Sequence, residues 1–185
     1  MSKSIIEQFG DIIKPVTGDS DVTVASIVAE WINERIEVAK EILQENNKNA
    51  SRTLSQSIAP TPIVEEDGII TIQVEANDYW DFVNSGVDGS EVKRGSPYSF
   101  ETKAPPVNTI RQWMFDRSIT TSEFFDKSGA KQIKPLLTEK DYQSVAFAIA
   151  KGVKKKGQKA VPYMDIAFSD EALEDLEKRI LKIWQ

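Results

Sequence analysis

The chain has 185 residues and contains neither cysteine nor histidine. Without cysteine there is no disulfide, no thiolate metal site and no thiol nucleophile. Without histidine there is neither the usual general base at neutral pH nor the commonest metal ligand, so Ser-His-Asp and Cys-His catalysis are excluded. Chemistry based on lysine, tyrosine or carboxylates remains open, including a magnesium site that needs only one or two acidic side chains.

Long apolar runs are also missing. No stretch approaches the ~20 residues that a membrane-spanning helix needs. The first ten residues lack the apolar core and the small-residue cleavage site of a secretory signal. We therefore predict a protein that is made and used in the cytoplasm and has no membrane partner.

Positive charge is in the minority, with 23 Lys and Arg against 29 Asp and Glu, so the net charge is −6. Such a chain is a poor candidate for coating DNA, because nonspecific affinity comes from neutralising phosphates. Gly86, Gly89 and Gly95 match no phosphate-binding or dinucleotide fingerprint and indicate a mobile loop instead. The sequence predicts no catalytic residue, no bound cofactor and no metal.

Residues 1–20 are predicted to form an N-terminal arm. Ile5, Ile6 and Phe9 recur at helical spacing, but glycine and proline interrupt the pattern soon afterwards. Such a short amphipathic helix is not stable alone in water. It has to dock either on its own domain or on a neighbouring subunit.

The next segments predict a long helix and a β-hairpin. Apolar residues at helical period indicate a helix over residues 22–47, with Asp21 as its candidate N-cap. A hairpin over residues 63–75 follows, with an acidic turn at residues 66–68. One face of its second strand would carry Ile70, Ile72 and Val74.

Residues 77–84 gather large apolar side chains that would pack on this sheet. Residues 87–104 are rich in glycine, proline and charge, and they predict a loop that is long for a compact domain. Such a loop either has a function or is a β-excursion that a partner stabilises. Residues 98–101 are a candidate short strand within it.

Pro105-Pro106 would open a helix near residues 107–117, because the fixed φ of proline suits a first helical turn. Residues 118–137 fit no single pattern. The buried face of the predicted helix would consist of Ile110, Trp113 and Met114.

Two further helices complete the prediction. Thr138 caps the first, which has an acidic first turn and a basic last turn and ends before Gly157. Ser169 or Asp170 caps the second, which runs to Trp184. The resulting fold class is α+β, with an antiparallel sheet and its β-hairpin packed against a long N-terminal helix and C-terminal helices. It would form a single domain over residues 21–185.

Three further features could have a function, namely two groups of charged residues and a tryptophan near the C-terminus. Acidic residues cluster at 65–67 and again at Asp78 and Asp81, where turn and capping roles outweigh a metal or acid–base role. Trp184 would anchor a partner if it is exposed near the C-terminus. The basic run is either a solvated helix end or a contact to an acidic partner subunit or passing DNA, and it consists of Lys151, Lys154, Lys155, Lys156 and Lys159.

Four segments occur in an order typical of one family. They are residues 54–58 (LSQSI) before the hairpin, residues 76–86 (ANDYWDFVNSG), residues 105–113 with a central Trp, and residues 146–164 with a terminal amphipathic helix after them. This arrangement resembles the tail-completion (neck, head–tail joining) protein family of long-tailed DNA bacteriophages. The resemblance covers roughly residues 25–183.

The resemblance implies a small α+β virion subunit without catalytic residues. Its copies would form a ring, a hexamer or a dodecamer, between the portal or connector and the tail proteins, and DNA would pass through the lumen without sequence-specific binding. Candidate interface residues are Ile5, Ile6, Phe9, Val92, Arg94, Tyr98, Phe100, Lys154, Lys155 and Trp184. The alternative is a small carboxylate- or lysine-dependent enzyme, or a phosphate-ligand binder, that uses Asp78, Asp81 or Lys151.

Overall fold

A computed structural model describes residues 23–48, 52–125 and 128–184. Over these residues the fold is α+β, as predicted, with a long N-terminal helix, small antiparallel sheets and C-terminal helices. The predicted arm at residues 1–20 lies outside the described residues.

The chain divides into two compact units. The first contains the described residues up to Trp80 and those from Pro162 onward, and the second is Asp81–Val161. The bounds predicted for the arm and for a domain over residues 21–185 stay predictions.

Helix α1 (Val24–Glu45) confirms the predicted long helix. A capping box closes its N-terminus: the Thr23 hydroxyl accepts from the backbone N–H of Ser26 at 3.1 Å, and the Ser26 hydroxyl accepts from the N–H of Thr23 at 2.9 Å. The prediction of Asp21 as the N-cap is therefore wrong. The hydroxyl of Thr23 stands directly before the first helical residue, where it reaches a free N–H of the first turn.

One face of α1 forms the core of the first unit. It packs on α6 (Tyr163–Ala167) and α7 (Asp170–Leu181). Trp31 is fully buried, and its indole Nε1 donates to the carbonyl oxygen of Ala172 at 3.1 Å. The other buried side chains of α1 are Val24, Ile32, Ile36, Ala39 and Leu43.

The predicted hairpin is present, but its second strand is interrupted. Its elements are α2 (Thr53–Ser57), β1 (Ala59–Pro60), β2 (Val64–Glu66), β3 (Ile69–Thr71) and β4 (Val74–Glu75). Antiparallel pairs form between β2 and β3 and between β1 and β4. The predicted alternation is confirmed, because Ile72 is buried, Ile70 and Val74 are half-buried, and the residues between them are exposed.

The second unit has its own core between α4 (Val107–Asp116) and α5 (Glu139–Lys156). The prediction that Trp113 belongs to the buried face is wrong, since its side chain is 40% exposed. Ile110 and Met114 are one helical turn apart and define the buried stripe, and Trp113 falls at its edge. The buried members of this core are Ile110, Met114, Leu136, Ala146 and Ala150.

A second hairpin fills the segment that fitted no pattern. Strands β5 (Thr121–Phe125) and β6 (Lys131–Pro135) pair antiparallel over five residues each. Thr138 then caps α5 with a capping box to Asp141, as predicted.

The remaining elements lie at the unit boundary and at the C-terminus. Helix α3 (Trp80–Asn84) begins at the last residue of the first unit. The predicted packing of residues 77–84 on the sheet is wrong for Tyr79 and Phe82, which are 40% and 42% exposed. Ser169 occupies the N-cap position of α7 without a capping hydrogen bond from its side chain, and α7 continues into a 3-10 turn at Lys182–Trp184. No helix in the described part of the chain is long and apolar enough to cross a bilayer.

Candidate functional site

The C-terminal end of α5 is covered by the loop over residues 87–100. A helix leaves its last four carbonyl groups without intrahelical donors. Here the carbonyl of Lys154 accepts from the N–H of Ser90 at 2.8 Å, and that of Lys155 accepts from the N–H groups of Glu91 and Val92 at 3.0 and 3.2 Å. The other two carbonyl groups of this last turn, those of Val153 and Lys156, also accept hydrogen bonds.

Gly157 and Arg94 donate those two bonds. The carbonyl of Val153 accepts from the N–H of Gly157 at 2.7 Å. The carbonyl of Lys156 accepts from the guanidinium Nη1 of Arg94 at 2.6 Å. The lysine side chains are therefore not needed to satisfy these carbonyl groups.

Two glycines allow this close approach. A β-carbon on Gly89 would overlap the carbonyl group of Lys155, and one on Gly157 would overlap the carbonyl oxygen of Val87. Gly157 also has φ +70°, a conformation that favours glycine. The sequence predicts loop positions for Gly86 and Gly89 and a helix-cap position for Gly157. In the structure Gly89 and Gly157 form the close contact between loop and helix, which we call the seam.

Asp88 organises the turn of the loop. Its carboxylate accepts from the backbone N–H of Arg94 at 2.7 Å and from that of Ser96 at 3.4 Å. These donors lower the pKa of Asp88 below its ordinary value, the bond from Arg94 contributing most. The backbone N–H of Asp88 donates to the carbonyl of Tyr98, and its carbonyl accepts from the N–H of Phe100. These bonds make a single β-bridge between Asp88 and Ser99 in place of the strand predicted over residues 98–101.

Asp81 ties the other side of the loop to α3. One of its oxygens accepts from the Ser85 hydroxyl and the other from the phenol of Tyr98, each at 2.6 Å. The hydrogen bond to Asp81 raises the pKa of Tyr98 above its ordinary value. The Tyr98 ring also stacks against Phe82, with centroids 4.2 Å apart. Phe82 therefore packs against the loop, although its side chain is 42% exposed.

Several predicted interface residues thus contact their own chain through this loop. Arg94 and Tyr98 make the bonds just described, Phe100 is half-buried and Val92 is 36% exposed. Trp184 is 44% exposed at the C-terminal turn of the first unit. Their role in subunit contacts stays a prediction, and Ile5, Ile6 and Phe9 lie outside the described residues.

The lysine run surrounds the covered helix end. Lys155 forms an ion pair with Glu91 at 2.6 Å, and the Lys154 side chain is half-buried. We call Arg94, Lys151, Lys154, Lys156 and Lys159 the basic cluster. No member of it has a carboxylate within 4.0 Å in the described ranges.

The hairpin β5–β6 exposes apolar side chains. Ile133 is 65% exposed and Phe124 is 46% exposed, and they lie on opposite faces because their register positions differ by one. Leu137, just after β6, is 81% exposed. In the part of the chain that is described, no third strand pairs with either edge.

Comparisons with protein-family models, with curated proteins and with solved structures find no match.

The acidic candidates of the alternative prediction are dispersed or engaged. Asp81 holds Ser85 and Tyr98, and Asp78 is exposed. The acidic turn at residues 65–67 is exposed between β2 and β3. Over the described ranges, no three acidic side chains converge as metal ligands would.

Proposed function

We propose that the chain is a structural subunit of a bacteriophage particle that forms a ring at the head–tail junction. Its copies would assemble in the host cytoplasm as a hexamer or dodecamer and take their place in the virion between the portal or connector and the tail proteins. DNA would pass through the lumen without sequence-specific binding. The observation that carries the proposal is the hairpin β5–β6, which exposes Phe124 and Ile133 and pairs with no third strand in the described ranges.

A two-stranded hairpin is marginally stable at best when it stands alone in water. An exposed edge strand presents unpaired N–H and C=O groups to another chain. Here that edge is combined with exposed Phe124, Ile133 and Leu137, which water solvates poorly. A hairpin of this kind fits a subunit that becomes buried on assembly.

The sequence supports the same proposal from another side. The segments that resemble the neck family lie at α2, α3 and α4 and across the end of α5 into α6. The loop between α3 and α4 also caps α5, so three of these segments meet in the second unit. The resemblance thus concerns residues that build the fold rather than surface positions alone.

The decisive experiment is the protein composition of purified particles. We expect quantitative mass spectrometry to find the chain in virions at a copy number that is a multiple of six. Deleting its gene should leave filled heads and separate tails in electron micrographs, and supplying the native chain in trans should restore joining. Particles that join normally without this chain would overturn the proposal.

A further inference from the structure

The two units of the chain carry opposite charge. In the unit Asp81–Val161 there are 14 Lys and Arg against 9 Asp and Glu, a net charge of +5. The rest of the sequence holds 9 basic and 20 acidic residues, a net charge of −11. The overall value of −6 therefore conceals two units of opposite net charge.

We infer that the basic cluster of one copy docks on an acidic face of α1 in the next copy. The inference rests on the proposed function, for which it supplies the contact between ring subunits. A ring is heterologous, because one surface of a subunit meets a different surface of its neighbour. Opposite net charge on the two units supplies two different surfaces that attract one another.

The acidic face is a stripe on α1 made of Glu30, Glu34, Glu37 and Glu41. Their spacing of four, three and four residues puts them on one side of the helix over about 16 Å. Glu30, Glu37 and Glu41 are exposed, and the stripe borders an open groove of about 550 Å³. The side opposite the stripe carries the buried residues of α1.

This stripe is only partly neutralised by its own unit. Arg179 contacts Glu34 at 2.8 Å, Arg35 contacts Glu34 at 3.8 Å, and Lys40 contacts Glu37 at 2.8 Å. Glu30 and Glu41 have no cation within 4.0 Å among the described residues. Negative charge thus remains at both ends of the stripe.

The basic cluster is held ready for such a partner. Backbone N–H groups and Arg94 already satisfy the last carbonyls of α5, so its lysines are not used as helix caps. The bond from Arg94 to the carbonyl of Lys156 joins residues 62 positions apart, so it fixes the loop beside the helix end and preorganises this part of the cluster. A second copy suits it better than DNA, because the unit of charge −11 would repel phosphates.

The test uses the full-length chain and sedimentation velocity at about 25 mM and about 500 mM salt, since screening separates charge-driven from apolar association. We expect the native chain to associate at low salt and to dissociate at high salt. Glu30→Lys with Glu41→Lys should weaken association at least about tenfold, and so should Lys151→Glu with Lys156→Glu. Circular dichroism verifies that each variant is folded.

Mixing the two variants makes the test specific. The Glu30 and Glu41 variant keeps the native basic cluster, and the Lys151 and Lys156 variant keeps the native acidic stripe. Each should fail alone, while an equimolar mixture should form heterodimers through one native contact. Lys103→Glu with Lys140→Glu changes the charge equally at exposed positions outside the cluster and should associate like the native chain.

The inference is overturned by a native chain that stays monomeric at low salt, by association that ignores salt, or by a mixture that does not associate. It is also overturned if the Lys151 and Lys156 changes abolish retention on duplex DNA while association is unaffected. None of these results bears on whether the chain is a virion component, which the particle composition decides separately.

Discussion

Gly89 lies directly against the carbonyl group of Lys155, with no room for a β-carbon between them. Through this contact the loop reaches the last turn of α5 and supplies its missing hydrogen-bond donors.

We expect Gly89→Ala to destabilise the protein by more than about 1 kcal/mol, because backbone atoms of the helix would have to move. Gly152→Ala is the matched control. Gly152 lies inside α5 with open space around it, so alanine there should stabilise by about 0.5–1 kcal/mol. Urea unfolding measures both, and equal effects of the two changes would contradict the described seam.

Asp88 makes the loop sensitive to acid. Its folded-state pKa is lowered, so its contribution to stability is present above the ordinary pKa of about 4 and is lost as the pH falls through the folded-state value. Asp88→Asn should therefore reduce the free energy of unfolding at pH 7, and the difference from the native chain should shrink at about pH 2. Asp78→Asn, at an exposed position, controls for the loss of one negative charge. A difference that grows in acid would refute the assignment.

Trp31 anchors the first unit by apolar burial and one hydrogen bond. We expect Trp31→Ala to cost about 3–5 kcal/mol of unfolding free energy. Trp31→Phe keeps much of the apolar area but leaves the carbonyl of Ala172 without this donor, so it should cost about 1–3 kcal/mol. The control Trp113→Phe, at a 40% exposed side chain, should stay within about 0.5 kcal/mol. Chemical denaturation ranks the three variants, and a different order would count against the core described for α1.

A substitution at Ile133 should affect assembly without affecting the stability of the folded chain. Because its side chain is 65% exposed, Ile133→Asp should change the free energy of unfolding by no more than about 0.5 kcal/mol. If the hairpin is buried on assembly, the same change should lower the yield of joined particles at least about tenfold in complementation, since a carboxylate would be desolvated. Gln143→Asp, an exposed polar position on α5, should complement normally. Equal yields of joined particles from the two variants would show that the hairpin is not part of the assembly surface.

The sequence predicted the elements whose signals are local. The helical period of α1, the turn before Ile69 and the capping residue Thr138 depend on residues close together in sequence, and all three are present. The N-cap of α1 was misplaced by two positions, because aspartate and threonine serve equally well there and only the backbone decides.

The hairpin β5–β6 was missed for a similar reason. Its one clear sign was the pair Ser128-Gly129 between two apolar segments, where Gly129 has φ +83°. Among the described side chains of its strands only Ser122 is half-buried and the rest are exposed, so no burial alternation marks them.

The seam between the loop and α5 was not predictable from periodicity. It joins Ser90, Glu91 and Arg94 to carbonyls more than sixty positions later, and hydrogen bonds to the backbone leave no pattern of side-chain types. Only Gly89 and Gly157 hinted at it, and an isolated glycine is equally typical of a plain turn. The role of Asp88 was missed for the same reason, since a buried carboxylate is recognised by its donors.

The cap on α5 also has a consequence in time. Glu91 and Lys155 are 64 positions apart, so their segments meet only after a long stretch of chain has been closed. Closing such a loop costs entropy before its contacts form. If the proposed contact between subunits exists, a copy would lack the Arg94 part of the basic cluster until the moment at which the loop reaches the end of α5. Amide exchange at Ser90 and Glu91 should report that moment, and it would act as a checkpoint that admits finished subunits to assembly.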